Sequence, residues 1–385
     1  MQANNANTEL LSAGFTSTPR ECSPEKHILF LKTHKTGSST ITNIFFRYGD
    51  LRNLSFVLSD GTLLGWPNRF QVKFPRLLQS KSPNILCSHA RFNQKPMNWL
   101  FPKETSKYIT ILRNPVDNFE SVFRYMKLGY SLGVGNGPDS LQIFLENGVS
   151  FDKFMSVKAS PLVRNPLLYD LGLSFKYYQN LTAVNEYIQF LDKEFDLVMI
   201  MDYFDESLVL MKRLLCWQME DILYLKLNER QDKEKDTVLT DNVRENVKRW
   251  NKADVLLFEY FNKSFWKKIE KEGESFYKEL NMFRQKNWEI KQTCVTNGTR
   301  LQTIYKGKQA KGYVIRNDLP SERLAVCQKL ITSEIDYLEH LRVKQRQPSS
   351  HFEVNQPTME TEHRREDNES WELAQDLAYV PVKLV

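Results

Sequence analysis

The chain has 385 residues, with 53 Lys and Arg against 47 Asp and Glu for a net charge of +6. Its 41% hydrophobic content, including 24 Phe, 16 Tyr and 7 Trp, supplies a sizeable packed core for one large domain or two small ones. The mild basic excess suits an anionic ligand but is too diffuse for a nucleic-acid surface, and no run reaches the ~18 to 20 apolar residues of a membrane span.

Residues 1–26 are polar and predict a flexible stem; Met1 to Pro24 contains no apolar signal core. The apolar run from Ile28 to Leu31 predicts a buried strand over 28–32, followed by a loop, Lys32-Thr-His34-Lys35-Thr36-Gly37, and a helix whose apolar spacing starts at Ile41 and Ile44. A strand, a small-residue turn and a helix N-terminus form an anion cradle, because free N–H groups and the positive end of the helix dipole face the turn. Lys35 precedes Gly37, with Ser38, Ser39 and Thr40 after it. The ATP-binding pattern G-x-x-x-x-G-K-S/T, with lysine after the glycines, is absent, so this is a phosphate loop of another kind.

After an irregular segment over 50–80, strands are expected at 84–88 and 107–112. Arg113 ends the latter, Pro115 suits the first turn of a helix, and Ser121 falls two turns into it. A guanidinium fork with a hydroxyl suits a second phosphate, so the two strand ends together predict a ligand with two phosphate-like groups. Gly129 to Pro138 reads as a substrate lid or an ordinary exposed loop. Helices are predicted over 139–158, 174–194 and 206–217, a buried strand over 195–200 and an edge strand over 222–227. Helical spacing dominates 240–284 and returns over 321–345, and 341–385 predicts a disordered charged tail. The expected architecture is one α/β domain over 27–340 with helical additions.

The five cysteines contain no C-x-x-C pair, which argues against zinc. Cys216, inside a helical apolar run, reads as a buried small hydrophobe, whereas Cys294 and Cys327 are the better disulfide candidates. N-x-S/T sequons occur at Asn53, Asn180, Asn262, Asn297 and Asn368, a weak pointer to the secretory pathway.

The pair Lys35-Thr-Gly-Ser-Ser-Thr40 and Arg113-Asn-Pro with Ser121 resembles the nucleotide motifs of sulfotransferases that use 3′-phosphoadenosine 5′-phosphosulfate (PAPS). The wording Phe30-Leu-Lys-Thr-His-Lys-Thr-Gly-Ser-Ser-Thr-Ile is similar to the galactose-3-O-sulfotransferase family. So are Cys87-Ser-His89-Ala-Arg91-Phe92, Leu168-Tyr-Asp-Leu-Gly172, the block from Tyr203 to Asn228, Asn262 to Trp266, and Thr332-Ser-Glu-Ile-Asp-Tyr337-Leu. The resemblance spans roughly 27–340. It implies a P-loop-like three-layer α/β fold with a central parallel sheet and added C-terminal helices, PAPS as co-substrate without a metal, and transfer to the 3-hydroxyl of a terminal β-galactose on a glycolipid or glycan. It further implies residence in the Golgi lumen at the membrane, through an N-terminal anchor that this sequence does not display.

On that resemblance, Lys35 faces the 5′-phosphosulfate, and the backbone of Thr36, Gly37, Ser38, Ser39 and Thr40, with the Ser39 and Thr40 hydroxyls, holds its phosphate. Arg113 and Ser121 take the second phosphate. The acceptor hydroxyl needs a general base. His89, at a strand-end rim, is the first candidate, His34 inside the loop the second, and Glu120 a third. Lys32 either neutralises the sulfonate or is solvated, and Arg91, Phe92, Asn93 and Trp99 are candidates for the acceptor cleft. Asp205 to Asn228 reads as core packing without chemistry. Two other functions fit less well: a catalytically silent nucleotide- or glycan-binding relative, and an ATP-dependent kinase.

Overall fold

The computed structural model describes residues 22–73, 83–147, 160–227, 239–303 and 309–346. Four short strands, Ile28–Leu31 (β1), Ile85–Leu86 (β2), Lys107–Leu112 (β3) and Leu197–Ile200 (β4), form a parallel sheet in the order β2-β1-β3-β4. The register pairs Ile28 with both Ile85 and Lys107, and Ile109 with Leu197. Apart from Lys107 every strand residue is buried, as in a parallel sheet covered on both faces.

Helix Ser38–Leu51 (α1) follows β1, Gln94–Leu100 (α2) follows β2, and Pro115–Tyr125 (α3) follows β3. Pro115 starts α3 as expected, and the Asn114 side chain accepts from the Val116 N–H to cap it. Because β2 lies on one side of β1 and β3 on the other, the chain reverses its direction across the sheet. The carboxyl ends of β1 and β3 therefore flank a topological switch point, where open α/β sheets collect ligands.

Several boundaries differ from the sequence expectation. The strand expected over 84–88 is a two-residue ladder, extended by isolated parallel bridges from Phe56, Leu63 and Arg69 to Ile85, His89 and Arg91. The supposed edge strand over 222–227 is not one: Met219–Ile222 is a 3-10 turn closed by a Gln218/Asp221 capping box, and 223–227 pairs with no strand among the described residues. The helix expected from 174 begins at Leu181, where the Asn180 side chain caps it. The 240–284 stretch comprises the helices Asp241–Trp250, Lys252–Glu272 and Glu274–Cys294. The last expected helix is two, Ser321–Ile331 and Glu334–Arg346, and an unanticipated antiparallel hairpin, Val295–Thr303 (β5) with Gln309–Ile315 (β6), precedes them. Of 139–158, Ser140–Asn147 is helical and 148–158 lies outside the described residues. In the Gly129–Pro138 segment, Gly129 and Leu132 are buried anchors and most of the rest is exposed.

Cys294 and Cys327 form the expected disulfide. Cys216, however, is bonded to Cys22 with Cα atoms 5.7 Å apart, so it is no simple buried hydrophobe. The described end of the stem is tied down further: the Glu25 carbonyl accepts from the Tyr48 hydroxyl and the Trp217 indole, each at 3.2 Å. Residues 1–21 and 347–385 lie outside the described part, whereas 341–346 are helical. Among the described residues no helix is long and apolar enough to cross a membrane.

Candidate active site

The loop after β1 is built around left-handed backbone. Lys35 has φ 60° and Gly37 φ 72°, and a Cβ on Gly37 would lie 3.3 Å from Met201 Cγ. A non-glycine residue in this conformation costs free energy, and such outliers concentrate where a loop must present its N–H groups in one direction. The surrounding hydroxyls lock the turn. Thr33 Oγ1 donates to the Ile111 carbonyl, Ser38 Oγ donates to the Thr33 carbonyl at 2.8 Å, and the Thr36 hydroxyl lies 2.9 Å from that of Thr33. Thr40 Oγ1 accepts from the Leu227 N–H at 3.1 Å. Ser39, half-buried, donates to Glu334 at 3.4 Å. Thr36, Ser38 and Thr40 thus shape the turn with their side chains, and the Thr40 N–H donates to the Gly37 carbonyl at 3.1 Å.

Lys35 lies over the Tyr125 ring of α3, its Nζ 3.7 Å from the centroid. Arg113 Nη1 donates to the Lys35 carbonyl at 3.2 Å, which ties the ends of β1 and β3 together. Ser121 is buried within α3. Lys32 is 1% exposed and forms an ion pair with Glu334, so it is neither solvated nor an uncommitted charge. The second Glu334 oxygen, Oε1, is buried without a hydrogen bond among the described residues.

His34 and His89 come together in this site. Their rings stack with centroids 4.2 Å apart, and Trp66 covers His34 from another side at 4.7 Å. His89 Nδ1 lies 3.2 Å from the Lys32 carbonyl, which fixes a proton on Nδ1 and leaves Nε2 as the basic nitrogen. Burial above all, then the nearby His34 and Lys32, pushes the His89 pKa well below the usual histidine range. His34 Nδ1 lies 2.8 Å from Asp170 Oδ2 and its backbone N–H donates to the same oxygen at 2.7 Å, while Trp66 Nε1 donates to Oδ1 at 2.9 Å. Asp170 is completely buried, and these donors compensate its charge.

Asp170 is held by its surroundings in turn. Its helix, Pro166–Asp170, starts on the buried Asp254 carboxylate, which accepts from the Leu167 and Leu168 N–H groups at 3.0 and 2.9 Å. After Asp170, Gly172 adopts φ 99°, where a Cβ would meet the Phe92 carbonyl at 2.7 Å. Arg91 stacks on Tyr169 and donates to the carbonyls of Tyr169 and Leu173, each at 3.0 Å. Arg91 therefore clamps the Asp170 segment instead of reaching into a sugar cleft. Phe92 is core, and Asn93 donates to the Phe70 carbonyl; Trp99 is exposed on α2. Glu120 pairs with Arg124 one turn along α3.

Asp170, Trp66 and Glu334 carry no local signature of a site, and Asn118, which donates to the His34 carbonyl at 2.9 Å, reads as ordinary helix. The pointers are the Leu168-Tyr-Asp-Leu-Gly172 and Thr332-Ser-Glu-Ile-Asp-Tyr337-Leu wordings, which contain Asp170 and Glu334 and carry the family resemblance without a chemical role. A cleft of about 960 Å³ beside the Cys22–Cys216 disulfide includes Lys212, Arg213 and Lys268 in its lining and contains no residue of the β1 loop. It sits away from the switch point and offers none of the cradle's backbone donors.

Residues 2–345 match the family model described as Galactose-3-O-sulfotransferase. Human galactosylceramide sulfotransferase is 34% identical over 343 residues, covering 83% of this chain and 79% of the relative. Pig galactose-3-O-sulfotransferase 2 is 32% identical, covering 84% of this chain and 85% of the relative. Mouse galactose-3-O-sulfotransferase 3 is 31% identical, covering 85% and 80%.

Proposed function

The chain belongs to the galactose-3-O-sulfotransferase family, and from that premise we propose that it transfers the sulfonate of PAPS to the 3-hydroxyl of a terminal β-galactose on a glycolipid or glycan. The observation that carries this reading is the left-handed loop Lys35–Gly37 at the switch point, joined to Arg113 through the Lys35 carbonyl. Such a cradle suits a 5′-phosphosulfate, held by the backbone from Thr36 to Thr40 beneath Lys35. Arg113 and Ser121 on the adjoining strand and helix suit the 3′-phosphate.

Sulfuryl transfer is an in-line displacement through a loose transition state, so positioning and charge stabilisation dominate. Lys35 stabilises the charge that develops on the departing phosphate, and the stacked His34/His89 pair takes the proton of the acceptor hydroxyl. Two disulfides and exposed sequons at Asn53, Asn180 and Asn297 support a Golgi lumenal location.

The test is transfer of labelled sulfonate from PAPS to a panel of galactosides, with the product linkage mapped. Labelled 3-O-sulfogalactose from the wild type, lost in Lys35→Ala, is the expected result. Absence of transfer to every galactoside, or sulfation at another hydroxyl, overturns the reading.

A further inference from the structure

We infer that Asp170 is the positioning carboxylate of the reaction and that His34, rather than His89, receives the proton of the acceptor hydroxyl. The inference deepens the sulfonate-transfer reading and rests on it for the identity of the substrate. Its geometric basis is independent of that reading.

Both imidazoles can present Nε2 as a base, but they differ in what stands behind Nδ1. Behind His89 is the neutral carbonyl of Lys32 at 3.2 Å. Behind His34 is a fully buried carboxylate with oxygens 2.8 and 3.0 Å from Nδ1. A carboxylate in that position fixes the tautomer with hydrogen on Nδ1 and stabilises the imidazolium that forms when Nε2 takes a proton. His34 Nε2 makes no hydrogen bond among the described residues.

The charged groups around the pair differ. Lys32 and Lys35 disfavour a cation on His89, whereas His34 Nδ1 faces the buried Asp170 carboxylate at 2.8 Å. His89 then stays neutral and lies flat against the cation, contributing a polarizable face.

In the reaction the acceptor oxygen forms a bond to sulfur as the bond from sulfur to the bridging phosphate oxygen breaks. The electron pair leaves with adenosine 3′,5′-bisphosphate, stabilised by Lys35. The hydroxyl proton passes to His34 Nε2. Asp170 keeps its charge throughout and touches neither substrate.

Three donors converge on the two Asp170 oxygens: the His34 N–H, His34 Nδ1 and Trp66 Nε1. An asparagine offers one acceptor oxygen and presents an amide NH₂ in place of the other. Asp170→Asn therefore removes the full charge behind Nδ1, and where its NH₂ meets Nδ1 it turns His34 to the Nε2–H tautomer, which cannot accept a proton at Nε2.

Nitrogen NMR of the labelled imidazoles in the full chain tests this without any substrate. In the wild type His34 should carry hydrogen on Nδ1 with a bare Nε2, and Asp170→Asn should shift both nitrogen signals by removing the charge behind Nδ1. A wild-type His34 with a bare Nδ1, or an Asp170→Asn spectrum identical to wild type, overturns the inference whatever the turnover. With PAPS and a galactoside, Asp170→Asn and His34→Gln should each lower kcat by about 10²- to 10⁴-fold with the donor KM retained. Asp170→Glu should restore part of the rate, and His89→Gln should cost less than His34→Gln. If Asp170→Asn does not fold, the wild-type tautomer and the His34→Gln rate still decide, and wild-type kcat in His34→Gln overturns the assignment. A wild type inactive on every galactoside counts against the function instead and leaves the tautomer result standing.

Discussion

His34 and His89 lie face to face, with ring planes inclined by only 18° and centroids 4.2 Å apart, although one follows β1 and the other β2. Two imidazolium ions at that distance repel strongly, so the pair carries at most one positive charge. In the proposed reaction the stack therefore acts as a single proton acceptor whose two rings have unequal neighbours.

In the proposed reaction Lys35 meets the phosphate that departs in the transition state. Lys35→Ala should lower kcat by about 10²- to 10³-fold, the usual cost of removing one transition-state charge stabiliser. Tyr125→Leu, which removes the ring beneath its ammonium, should cost only about 0.5–1 kcal/mol. Initial rates of labelled sulfonate transfer separate the two; equal losses would show that the aromatic contact, and not the charge, matters.

Arg113 should act on donor affinity. Arg113→Ala removes a fork of charge-assisted donors worth about 1.5–3 kcal/mol, a rise in donor KM of roughly 10- to 100-fold. Arg113→Lys should recover little of this, because an ammonium lacks the planar fork. Full recovery in the lysine variant would mean that charge alone suffices.

Arg91 should matter for both stability and rate. Arg91→Ala removes the guanidinium donor from the Tyr169 and Leu173 carbonyls, of which that of Tyr169 keeps the Gly172 N–H, and releases the segment that carries Asp170. We expect a loss of roughly 2–4 kcal/mol in unfolding free energy together with a fall in kcat. A variant that loses stability but keeps kcat would detach the clamp from catalysis.

Two buried carboxylates should give the stability of the fold opposite pH slopes. Burial, above all, raises the Asp254 carboxyl from 3.8 to about 7, so between those values the folded chain binds more protons than the unfolded one. Its contribution is fully present below about pH 4 and is lost as the pH rises through about 7. Burial also pushes the Asp50 carboxyl up, but hydrogen bonds and charges from Lys329 and Lys344 outweigh it and hold it well below the usual range. That contribution is present above about pH 4 and is lost as the pH falls. Denaturant midpoints across this range should show Asp50→Asn flattening the acid-side loss and Asp254→Asn flattening the loss toward neutrality. Unchanged slopes would refute the assignments.

What could be read from the chain was local. β1, β3 and the loop between Lys32 and Thr40 each announce themselves within a dozen residues, through apolar runs and small-residue turns. Asp170 could not be read in this way, because its partner His34 is 136 positions away and nothing near Tyr169 marks a carboxylate as buried. Cys216 is illegible for the same reason: its helical neighbours describe its packing, and its bond partner is 194 positions distant. The 222–227 stretch misled in the opposite direction. Its Ile-Leu-Tyr-Leu wording has strand propensity, but the Gln218/Asp221 capping box set the chain in a 3-10 turn first.

The Lys32–Glu334 pair gives the domain an order of assembly. The loop after β1 precedes its counter-charge by most of the described chain, because the carboxylate that neutralises its buried lysine stands 302 residues further on, at the start of helix Glu334–Arg346. Until that helix docks, an ammonium that the finished fold places out of water lacks its counter-charge, a state costing several kcal/mol. The loop therefore cannot settle into its binding form on a partial chain. A polypeptide that stops short of Glu334 leaves the Lys32 ammonium without the carboxylate that faces it, so helix Glu334–Arg346 completes the surroundings of the loop.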